Sequence, residues 1–555
     1  MKLTPFAKAF VTLIILSVVG FVLYTKRDQL KDWANAGGGT NPTGSPSHKT
    51  DQPVNPSNGI SKDDFAGIGA AREAGRQGVT GINKAQVGGG KLTRKLVVGI
   101  NTWAGHAPGI VANLGLAGGD KGSIYMSKYG LDVEFKLLED PQAKLAAFIK
   151  GDIDIMWDTV DSWSREASAL AEQGKSGKAI LQQDWSRGGD GIVSLQTIKS
   201  IEDLKGKKIA TTRFTPSHWL LLYMLSQSGL TPADKAEIEK NLVITAEAPL
   251  AAAAFKSKNV DAAVTWEPDL SGAVKARADE AHVLVSTAAA TNVIADCLVA
   301  KPELIEQAPT TLMDFVHGWF DGIDSIAKDP AQAYQIVGKA LKLSEDDVSG
   351  MLSGLKLTAF ADNALFFGLD GNRSQFDILF NTAFIVWRKQ GVISKVVDAK
   401  DYVDTRFVAA LADAYPGQKV VEEFKFDPKK KVDPAKERAI VNKSLSIYFT
   451  PGSDDIMSGS HFVLDQLGET MIAFGNTYLR IEGNTDATGS RSANRTLSQR
   501  RADSVKDYLI KNFKIEEKRF QTIGHGSENP VAPNSTEAGR QQNRRTDIKV
   551  ILNVQ

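Results

Sequence analysis

"KGKKIATTRF" (Lys205–Phe214) is a short β-branched run framed by basic residues, and it opens a regular alternation. Behind it come "PSHWLLLYMLSQSG" (Pro216–Gly229), helix-like, and "NLVITAE" (Asn241–Glu247), strand-like. "PLAAAAFKSK" (Pro249–Lys258) reads as a second helix and "VDAAVTWE" (Val260–Glu267) as a third strand. Alternating strands and helices of this length imply parallel α/β sheets. The same grammar occurs upstream: "KLVVGINTW" (Lys95–Trp103) and "LDVEFKLL" (Leu131–Leu138) are strands. "PQAKLAAFIKGD" (Pro141–Asp152) is a helix and "IDIMWDTV" (Ile153–Val160) a buried strand. Roughly 200 residues of such alternation fit two doubly wound lobes better than one.

The chain around this core has 555 residues, too many for a single hydrophobic centre. A formal net charge of +1 leaves no basic stripe for a nucleic-acid partner. Cys297 is the only cysteine, which rules out an internal disulfide or a cysteine-based metal site. The seven histidines show no HxxxH or HExxH pairing, and no GxxxxGK[ST] stretch occurs. No metal, cofactor or catalytic nucleophile–base pair is expected, and the chain does not read as an enzyme.

At the N-terminus, "AFVTLIILSVVGFVLY" (Ala9–Tyr24) carries no charge. At about 1.5 Å per residue it covers roughly 24 Å of a roughly 30 Å hydrocarbon layer, and Phe6 and Ala7 extend it if Lys8 snorkels. A membrane anchor over about residues 6–24 is expected within a segment 1–35. The rival is a cleaved signal peptide, but "TKRDQLKD" separates the apolar run from the Ala34–Ala36 cleavage-like site. Residues 36–91 are rich in Gly, Pro, Ser and Asn and read as a tether. A second junction over 425–438, containing "FDPKKKVDPAKE", separates folded regions at 92–424 and 439–555.

"SIEDLKGKKIAT" (Ser200–Thr211) resembles the stretch opening the second lobe of periplasmic solute-binding proteins of ABC transporters. "AAFIKGDIDIMWDTVD" (Ala146–Asp161) and "AAFKSKNVDAAVTWEPD" (Ala253–Asp269) look like the paired units that line their cleft. The likeness is nearest the sulfonate/nitrate/NMT1-like branch. It implies a clamshell, with a second lobe over about 200–290 and a small-molecule ligand between lobes at strand ends. The chain would return to lobe one near "TNVIADCLVAK" (Thr291–Lys301). The helices in 302–320 and 374–391 would pack on that lobe's outside. Strand ends nominate Asn101, Trp103, Trp157, Asp158, Asp161, Thr212, Arg213, Trp266 and Glu267. Arg213 with Ser217 at a helix start suits an anion. The indoles beside carboxylates in "MWD" and "TWEPD" suit a cationic amine instead. Both remain open at this point, as does the bland reading in which Trp157 and Trp266 are core aromatics.

From residue 439 the order is strand, helix, strand, helix, strand, strand, which makes an α+β sandwich. In "LSQRRADSVKDYLIKNF" (Leu497–Phe513), Leu497, Arg501, Val505 and Tyr508 share a face, flanked by Ala502 and Leu509. Arg501 is therefore expected at the margin of the core, where it needs a carboxylate, and Asp486 is the nearest candidate. The blocks "IEGNTDATGSRSANRTLSQRRADSV" (Ile481–Val505) and "GHGSENPVAPNSTEAGRQQNRRTDI" (Gly524–Ile548) resemble the OmpA C-terminal-like domain. That family grips the diaminopimelate residue of the peptidoglycan stem peptide. The resemblance implies that Asp486 takes the amino group and Arg501 the carboxylate, with Asn494 and Thr488 as weaker contacts and Arg545 as support. Asn484 departs from the histidine or tyrosine usual there.

The fold class expected is thus an α/β two-lobed periplasmic-binding-protein fold, an α+β OmpA-like domain and an N-terminal transmembrane helix. The expected function is an inner-membrane-anchored, peptidoglycan-attached periplasmic receptor for a small ligand, with an ABC permease or another membrane complex as partner. The alternative is a membrane-to-wall tether whose clamshell docks proteins. A role as the ion-carrying subunit of a membrane machine is disfavoured, because the apolar segment holds no Asp or Glu.

Overall fold

The computed structural model describes residues 87–393, 395–420, 433–434 and 437–553. The expected anchor and most of the two linkers lie outside these residues. Among the described residues no helix is long and apolar enough to cross a membrane.

The folded chain opens with a hairpin of β1 (Val87–Gly88) and β2 (Lys91–Leu92). Lobe one holds β3 (Leu96–Ile100), β4 (Val133–Leu137), β5 (Ile155–Thr159) and β6 (Lys178–Ser186). Lobe two holds β7 (Asp190–Leu195), β8 (Ile209–Thr212), β9 (Val243–Thr245), β10 (Ala262–Trp266) and β11 (Ala281–Ser286). The chain then returns to lobe one, as expected, through β12 (Ala295–Ala300) and later β13 (Leu355–Leu357). The sheet orders are β13-β6-β12-β5-β3-β4 and β11-β7-β10-β8-β9.

Proline placement marks many of the connecting helices: those starting at Pro141, Pro216, Pro232, Pro302, Pro309 and Pro330 begin on the proline itself. The ring presets the first helical φ where an N–H would be unpaired anyway. Because helices cover the sheets, β5 and β12 are buried on both faces and read as nearly continuous apolar runs.

The sheets are mixed, not purely parallel. β3 runs parallel to β4 and β5, and β8 parallel to β9 and β10, but β7 is antiparallel to β10 and β12 antiparallel to β5 and β6. The reversed strands are those that follow the two chain crossings, β7 after β6 and β12 after β11, together with the edge strand β13. Lobe two consequently starts at Asp190, earlier than the "SIEDLKGKKIAT" signal suggests. Gly188 makes the first crossing with φ of 126°, and a Cβ on Gly189 would stand 2.8 Å from the Trp103 ring. The two crossings are tied together: Ser186 Oγ bonds Thr287 Oγ1 (2.8 Å), and Gly188 N–H donates to Thr287 Oγ1 (2.8 Å).

The helix Pro309–Lys328 packs on lobe one against Ala107–Ala112, as expected. Gln375–Lys389 does more than cover the outside. Its Trp387 donates Nε1–H to the Asp161 carbonyl in lobe one (2.9 Å) and lies 5.5 Å from His218 and 6.4 Å from Trp219 of lobe two. It bridges the lobes.

The C-terminal domain is a four-stranded sheet of β14 (Val441–Leu445), β15 (Thr477–Asn484), β16 (Phe520–Gly526) and β17 (Thr546–Leu552), in the order β14-β17-β15-β16. Helices His461–Ala473 and Arg491–Phe513 cover it, with a further short helix at Glu537–Asn543. The long helix lies with its backbone almost on the sheet. A Cβ on Gly483 would meet the Ser498 carbonyl oxygen at 2.2 Å, and one on Gly524 the Gln499 nitrogen at 2.4 Å. This close approach turns the buried stripe to Asn494, Ser498, Ala502, Val505 and Leu509, and leaves Leu497, Arg501 and Tyr508 half-buried. Arg501 does stand at the core margin.

The two domains pack on one another. Ile201 N–H donates to the Ile440 carbonyl (3.1 Å), Arg438 pairs with Asp203 (2.6 Å), and the buried Lys443 donates to Gln227 (3.0 Å). The second crossing is also held: Asn292 N–H donates to the Ala473 carbonyl (3.1 Å) and Gly475 N–H to Thr291 Oγ1 (3.1 Å).

Candidate functional site

Two regions carry convergent polar chemistry. In the C-terminal domain, Asp486 follows β15 in the loop that leads to the long helix. Its Oδ1 accepts from Thr488 N–H (2.8 Å) and its Oδ2 from Arg544 Nη1 (2.6 Å). Asn494, in the helix's first turn, donates to the carbonyls of Asp486 (3.3 Å) and Thr488 (3.0 Å), which fixes the loop. Burial pushes the Asp486 carboxyl up, but Arg544 and the Thr488 amide outweigh it and hold the pKa below the ordinary carboxylate range.

Arg501 does not pair with Asp486 directly. Its Nε donates to the Ser453 carbonyl (3.0 Å), and its guanidinium lies over the Phe449 ring, 4.8 Å from the centroid. Burial, followed by the charge of Arg544, lowers its pKa. Arg501 and Arg544 line one cavity of about 150 Å³ together with Phe449 and Asn484. The site is thus a triad of one acid and two arginines, of which Arg544 was not anticipated. Its neighbour Arg545 braces the loop instead, pairing with Asp547 (3.0 Å) and donating to the Asn529 carbonyl (3.1 Å).

In the clamshell the nominated residues divide. Trp157 and Asp158 are buried, but Asp158 is spoken for. Lys144 Nζ lies 3.2 Å from Asp158, 3.7 Å from Glu166 and 4.8 Å from the Trp157 ring centroid. This ammonium already occupies the cation–π position on Trp157, and Arg165 adds a contact to Glu166 (3.3 Å). Asp158 is a structural charge, which corrects the expectation that it faces a ligand. Arg213 is exposed and makes no ion pair among the described residues, although Ser217 Oγ is buried without a partner. Thr212 bonds Thr245 (2.9 Å) and is structural.

Trp103, Asp161, Trp266 and Glu267 do converge, around carboxylates the sequence reading passed over. Trp103 Nε1–H donates to Asp184 Oδ2 at 3.3 Å, a long hydrogen bond. Asp184 on β6 and Asp296 on β12 are directly opposed cross-strand, with Thr159 of β5 on Asp296's other side. Trp266 is register-paired with Asp190. Asn101, His106 and Gln183 form a chain that runs from half-buried to buried: His106 bonds Asn101 Oδ1 (2.7 Å) and Gln183 Nε2 (2.8 Å), and packs edge-on to Trp157. Burial lowers the His106 pKa to about 3, so it is neutral. Burial pushes the Asp184 carboxyl up to about 8 and those of Asp161 and Asp190 to about 7. Asp296 is also raised, first by burial and then by the charge of Asp184.

Residues 448–544 match the OmpA family, and residues 121–333 match the NMT1/THI5 like family. Over 113 residues the chain is 32% identical to the peptidoglycan-associated lipoprotein of Pseudomonas putida, covering 20% of this chain and 67% of that protein. The chain belongs to the OmpA family. It joins that OmpA domain to an NMT1/THI5-like domain. It is also 32% identical over 111 residues to outer membrane porin F of Pseudomonas aeruginosa, covering 20% of this chain but only 32% of the porin. The chain thus spans about a third of the length of the porin relatives it matches. Among solved structures, the periplasmic aliphatic sulphonate binding protein SsuA from Escherichia coli aligns at a TM-score of 0.45 and 17% identity, covering 57% of this chain and 99% of that one.

Proposed function

We propose that this chain is a cell-envelope solute-binding receptor held to peptidoglycan by its OmpA domain. The observation that carries the wall-binding half is the 150 Å³ cavity lined by Arg501 and Arg544, with the Asp486 carboxylate bonded to Arg544 at 2.6 Å. A diaminopimelate end group is a zwitterion. Asp486 supplies the acceptor for its ammonium, while Arg501 supplies the donor for its carboxylate. Arg544 holds Asp486 ionised in the meantime. Asn494 and Thr488 keep the loop in register. The names of relatives agree with this reading: one is a peptidoglycan-associated lipoprotein, another the peptidoglycan-binding protein ArfA of Mycobacterium bovis.

Wall attachment puts the folded domains on the periplasmic side. The apolar segment at residues 6–24 then serves as a single-pass inner-membrane anchor with its N-terminus in the cytoplasm. A permease or another membrane complex is the partner to which a loaded receptor would deliver. The test is retention of the protein on purified peptidoglycan sacculi. Wild type is expected to sediment with them, and Asp486→Ala or Arg501→Ala to stay in the supernatant. Retention of both variants at the wild-type level would overturn the assignment. The second reading, a tether with a protein-docking clamshell, predicts no lobe response to any small molecule.

A further inference from the structure

We propose that the cleft of the clamshell selects a small organic cation, one carrying ammonium or amidinium groups. Its ligands would be Asp161, Asp184, Asp190 and Asp296, with the indoles of Trp103 and Trp266 alongside. The inference rests on the reading of the clamshell as a solute-binding domain and names the class of solute.

The four carboxylates come from four separate segments. Asp161 lies in the first turn of the helix Val160–Glu172, Asp184 on β6, Asp190 at the start of β7 and Asp296 on β12. All are at most 4% exposed. Like charges directly opposed across a sheet are destabilising, and unpaired buried carboxylates more so. The molecule shows how it handles such a problem where no ligand is involved. Asp158 and Glu166, similarly buried, are given Lys144 and Arg165. No Lys, Arg or His lies within ion-pair distance of Asp161, Asp184, Asp190 or Asp296 among the described residues. The chain supplies no counter-charge, so when these carboxyls ionise the balancing charge comes from outside it.

A second observation points the same way. Gln183 Oε1, Asp161 Oδ1 and Asp184 Oδ1 are buried acceptors without a hydrogen-bond partner, on residues that are themselves fully buried. Gln183 precedes Asp184 on β6, and its Nε2 bonds His106, which packs on Trp157. Unpaired acceptors call for a ligand rich in N–H donors. Among the described residues, no three of these carboxylates are grouped so as to hold a metal ion. Indoles on either side of the hinge, Trp103 in lobe one and Trp266 in lobe two, offer ring faces to such a group. The rival chemistry, an anion at Arg213, relies on a side chain that is exposed.

The test is titration calorimetry with thermal melting of the full chain in mild detergent. Putrescine, spermidine, choline and arginine serve as cationic probes, and taurine and ethanesulfonate as anionic ones. The expected result is saturable binding and a raised Tm with at least one cation and with neither sulfonate. Binding should fall at least tenfold in the double variant Asp184→Asn, Asp296→Asn, whose melting point should not drop, since two buried carboxyls become amides of the same size. Should that variant not fold, Trp266→Ala, at a half-buried rim position, must also weaken cation binding. Saturable binding of a sulfonate and of no cation would sink the cation inference while leaving the receptor reading intact. Silence with every probe would overturn both. Cation binding that survives all the substitutions would overturn the assignment to these residues.

Discussion

The two candidate sites of this chain are built on opposite electrostatic plans. In the OmpA domain, Arg501 and Arg544 line one cavity and Asp486 pairs with Arg544 beside it, so unlike charges are already satisfied by the protein. In the clamshell, four buried carboxylates face one another with no cationic side chain paired to them. A site of unlike charges is stable before its ligand arrives, so it can be preformed. One of like charges detracts from stability until a cation enters, so ligand binding and lobe stability are tied together. The placement of the OmpA domain extends that link, since Ala473 and Gly475 hold the 288–292 segment between β11 and β12, which is a crossing of the clamshell itself.

The comparison can be broken at several points. The largest expected effect is on wall binding: Arg544→Ala should reduce sacculus retention at least tenfold, although Arg544 has a different primary role from Arg501. Wild-type retention would show that Asp486 needs no arginine to stay ionised and aimed. Next comes the internal control for the like-charge argument. Lys144→Met strands Asp158 and Glu166, and should destabilise the chain by about 3–5 kcal/mol in urea unfolding. Asp184→Asn should instead leave stability unchanged or raise it. Equal destabilisation by the two substitutions would erase the distinction between the acid groups. On the OmpA side, Gly483→Ala pushes a methyl against the Ser498 carbonyl and should cost about 1–3 kcal/mol, with sacculus affinity falling in proportion as the Asp486 loop shifts.

The smallest effect is a pH dependence of opposite sign in the two regions. Asp161, Asp184 and Asp190 have raised folded-state pKa values, so their contribution is fully present below about pH 4 and is lost as pH rises through about 7 to 8. Asp296, also raised, adds to this trend, and Glu267 reinforces it through Asp190. Asp486 is lowered, so its contribution is present above about pH 4 and is lost on acidification. Thermal melts of the full chain should show the clamshell transition falling by a few degrees between pH 5 and 8.5. The slope should flatten in the Asp184→Asn, Asp296→Asn variant. An unchanged slope would mean that these carboxyls do not titrate in that window.

Much of this architecture was legible along the chain. The strand and helix order of both domains follows from local periodicity, and Arg501 was rightly placed at a core margin although the buried face turned out to pass through Ser498 rather than Leu497. The turn of that face has a nonlocal cause: glycines on β15 and β16 admit the helix backbone. Arg544 was hidden because it lies 58 residues after Asp486 and beside Arg545, in an "NRR" run where either arginine could have reached back. Asp184, Asp190 and Asp296 sit in "LQQDWS", "GGDG" and "ADCLVA", runs that match no binding motif. A carboxylate inside an apolar strand with no lysine nearby is the one local signal they leave. Lys144 is the converse case, a charge in an amphipathic helix that reads as solvated and is fully buried.

By itself, the sequence determined the two folded regions, their α/β and α+β classes, the OmpA motif and the acid and arginine that mark its site. Those features follow from hydrophobic periodicity, proline and glycine placement and local spacing, all of which act within a few turns of chain. Only the tertiary structure decided which charges meet. Strand reversal at the two crossings brings β6, β7 and β12 together and sets acid against acid in the cleft, while packing within each domain gives Asp158 to Lys144 and Asp486 to Arg544. Pairing of that kind depends on register between segments tens to hundreds of residues apart, and Coulomb energy depends on distance in space, which no local pattern encodes.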